Sequence, residues 1–165
     1  MADPVLKEQR SDEAQPIQGR ARYEDDIYAW ALEQAMLLRS GRLDAVDAEH
    51  VAEELESLGR SEFTKLRSCL RVLVMHMLKW DRQPEHRTPS WFFSIREQRR
   101  RYHDILADNP SLKPRRDEAL RRCYPDAVDW ASDETHLAPD EFPRSCPYTW
   151  DDLLERPFDL DSVKK

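Results

Sequence analysis

Residues 62–80 read Glu62-Phe-Thr-Lys-Leu-Arg-Ser-Cys-Leu-Arg-Val-Leu-Val-Met-His-Met-Leu-Lys-Trp80. Phe63, Leu66, Leu70, Leu73, Met77 and Trp80 recur in steps of three and four, the spacing of one face of an α-helix. From Leu70 to Leu78 only Arg71 and His76 break the apolar block, so this helix is apolar on nearly every side. A helix of that kind is normally enclosed by others. The expected fold class is therefore all-α. It is one helical bundle of about five main helices over residues 23–160, closed by a short C-terminal helix.

Upstream of this stretch, helical spacing begins at Tyr23 and places Ile27, Trp30, Ala31, Gln34, Leu37 and Leu38 on one face. Glu24, Asp25 and Asp26 crowd its first turn, where carboxylates suit the positive end of the helix dipole. Gly41 supplies a stop. A second helix near Asp47–Leu58 carries Val51, Leu55 and Leu58 as its stripe. Gly59 either caps it or lies inside one longer helix, and Ser61 is a suitable N-cap for the core helix. Residues 1–22 are polar and aperiodic and read as a disordered tail; 161–165 read as a disordered C-terminus.

Downstream, Thr88-Pro89 reads as an N-cap with proline at the first helical position. The helix it opens carries Trp91, Phe92, Ile95, Tyr102, Ile105 and Leu106. Asn109-Pro110 opens the next, with Leu112, Ala119, Leu120, Cys123, Ala127, Trp130 and Ala131 on its inner side. Pro125 inside that pattern predicts a kink or break near Cys123. Pro139, Pro143 and Pro147 mark an irregular segment, after which Thr149 caps a last helix from Trp150 to Glu155.

The chain has 165 residues and only 3 glycines, where average usage would give roughly a dozen. Tight β-turns draw heavily on glycine, so an all-β fold is excluded. Gly19, Gly41 and Gly59 lie too far apart for a dinucleotide or P-loop fingerprint. No apolar run is long enough to span a membrane, and the polar N-terminus lacks the apolar core of a signal peptide. Cys69, Cys123 and Cys146 are odd in number and form no CxxC, which points to a reducing, cytoplasmic setting. The net charge of −7 disfavours general nucleic-acid binding. That charge is uneven: residues 83–122 are basic and 123–165 acidic, so part of it is expected to be paired internally.

His76 is the residue that could carry chemistry. Its helical neighbours Val72, Leu73, Lys79 and Trp80 place it in or beside the core, where each ring nitrogen needs a partner. With carboxylates it would make a metal or acid/base centre; alone, it reads as a satisfied core histidine. His50 with Glu53 and Glu54 shares one helix face, yet lacks the second matching pair of a bundle di-metal site, and a solvated acidic face is favoured. Arg96, Arg99, Arg100, Arg101, Arg115, Arg116, Arg121 and Arg122 could meet phosphate. Exposed aromatics would be wanted between them, and Trp91, Phe92 and Tyr102 look like core. Cys69 and Cys123 fall on apolar faces and read as inert; Cys146, in a loop, is the more reactive expectation.

Several blocks together resemble a bacterial family known as domain of unknown function 29. They are Tyr23-Glu-Asp-Asp-Ile-Tyr-Ala-Trp30, Gln34-Ala35, Leu37-Leu38-Arg39 and Ala52-Glu-Glu-Leu-Glu-Ser-Leu-Gly59. The others are His76-Met-Leu-Lys-Trp80 with Gln83-Pro84, Ser90-Trp91, Ile95 with Gln98-Arg99, and Cys146-Pro-Tyr-Thr149. The resemblance implies a mostly helical bundle and brings no activity with it. Pro125 and the apolar Phe92-Phe93 depart from its pattern. The blocks contain Asp26, Trp30, Glu53, Glu54, His76, Lys79 and Trp80, a set that would form a polar core or line a pocket. Charges in a core must be paired, and the expected pairs are Asp26 with His76 and Glu53 or Glu54 with Lys79.

The function expected is a non-enzymatic protein-interaction or regulatory module, with another protein or a second copy as partner and no cofactor. One alternative is an enzyme centred on His76 with Glu53, Glu54 or Asp26, with His76 and Glu54 as its metal ligands if it holds one. The other is nucleic-acid binding through Arg96–Arg122.

Overall fold

The computed structural model describes residues 21–159, and among them the only regular structure is helical. α1 spans Ile27–Arg39, α2 Ala48–Arg82, α3 Pro89–Asp108, α4 Arg116–Thr135 and α5 Trp150–Leu154, joined by short 3-10 turns. The expected disordered segments, 1–22 and 161–165, lie outside the described residues except for Ala21 and Arg22. The chain divides into two compact units that part between Leu55 and Glu56, within α2.

In the first unit, Asp26 caps α1 by accepting the Ala29 N–H at 3.0 Å. The helix ends as Gly41 predicts. Gly41 takes φ +71°, its N–H bonds Leu38 O and the Arg42 N–H reaches back to Leu37 O, which is a glycine-terminated Schellman end. Trp30, Gln34 and Leu37 are the buried residues of α1. The Gln34 side-chain carbonyl accepts the Asp47 N–H at 2.8 Å, so a buried amide holds the residue that opens α2. Asp47 in turn accepts the His50 N–H through its side chain and the Val51 N–H through its backbone carbonyl.

The two helices expected at 47–58 and 62–80 are one. Gly59 lies inside α2, and Ser61, expected as an N-cap, is an exposed position within it. Helix formers on both sides of Gly59 outweigh the ~1 kcal/mol that a glycine costs there. Leu55 and Leu58, expected on an inward stripe, are 64% and 60% exposed.

The second unit holds the core. Leu66, Leu70, Leu73, Val74 and Met77 of α2 are fully buried, with Ile95 of α3, Ala119, Ala127 and Ala131 of α4 and Leu153 of α5. On α4 it is mainly small side chains, these three alanines among them, that meet the core. Thr88 caps α3 from its side chain, with Pro89 at the first helical position. The helix expected at Pro110 starts instead as a 3-10 turn over Pro110–Arg115. Pro125 does not break α4, which runs unbroken past it; the carbonyl left without a donor is that of Arg121, an exposed residue open to water.

Two arginines anchor the irregular C-terminal segment. Arg99 donates from Nε, Nη1 and Nη2 to the carbonyls of Leu153, Arg156 and Asp152 at 2.7, 2.8 and 2.9 Å. A five-residue helix leaves most of its carbonyls unpaired, and this guanidinium serves three of that segment. Arg156 then pairs with Asp81 at 2.5 Å, and Asp81 also accepts the Tyr148 hydroxyl at 2.9 Å. Thr149 and Asp152 close a capping box at the start of α5. Trp150 adds a bond to Asp117 at 2.7 Å and stacks on Tyr102.

Candidate functional site

His76 sits in the core of the second unit and is 8% exposed. Burial first, and the Lys79 ammonium second, push its pKa down to about 4, so the ring is neutral at pH 7. Its buried Nδ1 has no hydrogen-bond partner. Lys79 is also buried, and its ammonium is bonded to Glu134, a half-exposed carboxylate on α4, while lying 4.3 Å from the centre of the Trp91 ring. Glu134 therefore takes the place expected for Glu53 or Glu54. Asp26 is occupied as the α1 cap rather than by His76. Trp80 is buried, with Arg87 over its ring and Phe158 edge-on to it. Gln83 donates to Thr135 O at 2.9 Å. These contacts join α2 to α3, α4 and the C-terminal segment, and they account for the His76–Gln83 block as structure. Among the described residues no group of three His, Cys, Asp or Glu side chains is placed to hold a metal ion.

The first unit contains an open cleft of about 480 Å³ lined by Ala21, Arg22, Tyr23, Glu24, Trp30, Gln34, Asp47 and His50. Asp47 organises it. One carboxylate oxygen meets His50 Nδ1 at 2.8 Å and accepts the Trp30 indole N–H at 3.3 Å. The pairing raises the His50 pKa and lowers that of Asp47. Tyr23 stacks on the His50 ring at 4.2 Å and donates its hydroxyl to Glu54 at 2.5 Å, which raises the tyrosine pKa. Glu53 is exposed and contributes charge only. An Asp-supported imidazole can act as a base, but no serine, threonine or cysteine lines this cleft. Its rings pack on one another, and the arrangement fastens residues 21–26 to the first turns of α2.

Most arginines proposed for phosphate already have partners. Arg100 bonds Glu97 and Asp104, Arg115 and Arg122 share Glu118, and Arg99 is spent on the α5 carbonyls. Arg96 lies over Phe92 and Arg116 over Trp150. The cysteines are inert: burial pushes the Cys69 and Cys123 thiols up to about 12. Burial also raises Cys146, against the expectation of a more reactive loop thiol.

The surface that stands out is α1 itself. Ile27, Tyr28, Leu32, Met36 and Leu38 are exposed, Tyr28 by 74% and Met36 by 58%. At 3.6 residues per turn, Tyr28, Leu32 and Met36 point away from Trp30, Gln34 and Leu37, while Ile27 and Leu38 flank the buried strip beside Gln34. Ala31 and Ala35 lie between them, and Arg39 is the one charge on that side. Ile27, Ala31 and Leu38 were expected to face inwards, but the buried strip is too narrow to reach them. Part of the signal was in the sequence: a 13-residue helix in which only Glu33, Gln34 and Arg39 are polar has more apolar surface than one narrow contact covers.

No curated protein and no solved structure matches the chain. Residues 22–159 match the model of the family described as Domain of unknown function DUF29, and the chain belongs to that family. Among the described residues, no helix is long and apolar enough to cross a membrane.

Proposed function

We propose that this DUF29 member is a protein-interaction module that takes a helix of a partner protein along the outward half of α1. The observation that carries the reading is the exposure of Ile27, Tyr28, Leu32, Met36 and Leu38 together on one helix. Scattered apolar residues on a surface are ordinary, whereas contiguous ones mark contact sites. Of the ten large apolar side chains most exposed in the described chain, only Phe93 and Trp130 lie beyond residue 58. The geometry suits a helix because Ala31 and Ala35 leave a shallow line between bulkier neighbours, into which ridges of another helix can pack. Docking of this kind needs no cofactor and no catalytic residue.

A photo-crosslinking amino acid placed at Leu32 in the full chain, with one at Phe93 as control, tests this in cells. The expected result is one discrete product from position 32 and none from position 93, with mass spectrometry mapping the crosslink to an apolar helix. Equal labelling from both positions, or none from 32, would overturn it.

A further inference from the structure

We propose that the partner helix is α1 of a second copy of this chain, packed antiparallel with Leu32 on the two-fold axis. The inference rests on reading α1 as a docking helix and adds the identity of its occupant. Tyr28, Leu32, Ala35 and Arg39 follow one another in α1 at steps of four, three and four, the spacing of a helix–helix seam, and Asp25 lies exposed in the turn that leads into the helix. The seam is acidic at one end, apolar in the middle and basic at the other. Arg39 lies about two helical turns beyond Leu32, and Asp25 stands at the other end of α1, just before its Asp26 cap.

Two such seams fit in only one direction. In a parallel pair Asp25 would meet Asp25 and Arg39 would meet Arg39. In an antiparallel pair each Asp25 faces the Arg39 of the other copy, and Tyr28 faces Ala35 and Met36. A closed two-fold contact of this type uses the same patch on both copies.

The charges at the two ends are free for this. Among the described residues the Arg39 guanidinium has no acidic partner. Asp25 touches only Arg22, at 3.8 Å between exposed side chains. Residues 21–55 carry nine acidic side chains against three basic, so a face of this unit brought against itself at random is repelled. The antiparallel register puts one of those three bases beside an acid at each end. A seam about 20 Å long is a small interface, so the pair exchanges with monomer as concentration falls.

Sedimentation velocity on the full chain, over about a hundredfold range of concentration, reads this out, with circular dichroism confirming that each variant keeps its helix content. The wild type is expected to pass from monomer to dimer. Leu32→Asp sets two carboxylates together on the axis and raises the dissociation constant about a hundredfold or more. Arg39→Asp and Asp25→Arg each raise it roughly tenfold, and the Asp25→Arg/Arg39→Asp double variant returns to within about threefold of wild type.

Failure of the double variant to recover overturns the antiparallel register. A wild-type dimer that Leu32→Asp leaves intact uses another surface, and the inference falls. A monomer at every concentration also sinks it. If position 32 then still gives a discrete crosslink to a different protein, the docking reading stands and only its occupant is wrong.

Discussion

The two units use apolar side chains in opposite ways. Residues 56–159 gather 21 buried apolar side chains into one core, and most of their long cations lie over aromatic rings or pair with carboxylates. In residues 21–55 the buried apolar side chains are Trp30 and Leu37, while five large ones of α1 face outwards. What holds the first unit is polar: Gln34 to Asp47, Trp30 and His50 to Asp47, and Tyr23 to Glu54. A unit built on hydrogen bonds leaves its apolar residues available for binding. One built on a core does not.

Matched truncations put that contrast to its hardest test. Leu73 is fully buried, and Leu73→Ala is expected to cost about 2–5 kcal/mol, the transfer loss plus a cavity that α2 and its neighbours cannot close. Leu55→Ala removes the same atoms from a side chain already 64% exposed and should cost under ~0.5 kcal/mol. Urea unfolding followed by tryptophan fluorescence measures both. Similar losses at the two positions would mean that the first unit hides apolar surface after all.

How much of this is legible in the sequence divides the same way. The core helix is plain in Leu70–Leu78, because an apolar block at helical spacing has one physical solution. Thr88-Pro89, Thr149 and Gly41 mark their helix ends correctly, since caps are local chemistry. The partners of buried charges are not legible. Lys79 finds Glu134, 55 residues away, and no local rule distinguishes that carboxylate from Glu53 or Glu54. His76 is rightly placed in the core by its neighbours, but that its Nδ1 lacks a partner depends on packing from other helices. The outward face of α1 is half legible: its excess of apolar residues stands in the sequence, but periodicity says which residues share a face and not which of them is covered.

The histidines sharpen the comparison by pH. His76, neutral in the fold with a pKa of about 4, regains its ordinary value on unfolding. The unfolded chain then binds the extra proton between pH 6.5 and 4, so stability present above pH 6.5 is lost as the pH falls through that window. The loss is up to about 3 kcal/mol. His76→Leu should flatten this part of the urea-midpoint profile. His50 runs the other way. Its pKa is raised by Asp47, so its contribution is present below its unfolded value and fades as pH rises through the folded one. In His50→Gln the acid limb should remain and the loss on the alkaline side disappear. A profile that His76→Leu leaves unchanged would place that ring in water.

The smallest effect concerns two glycines and one substitution. A methyl group built on Gly59 meets nothing within 4 Å, and the residue lies in mid-helix without a positive φ. Gly59→Ala should therefore stabilise by about 0.5–1 kcal/mol, because alanine has less backbone freedom to lose. Gly41 has the same empty surroundings, but its φ of +71° is one that side chains other than glycine rarely adopt. Gly41→Ala should cost about 1–2 kcal/mol through backbone strain alone. Gly41 ends α1, so this loss should also fray the helix that carries Tyr28, Leu32 and Met36, weakening whatever docks there without touching a contact residue. Gly59, four residues past the end of the first unit, should leave that docking unchanged while raising the urea midpoint. If both variants shift binding alike, α1 takes its order from α2 as a whole and not from its own glycine cap.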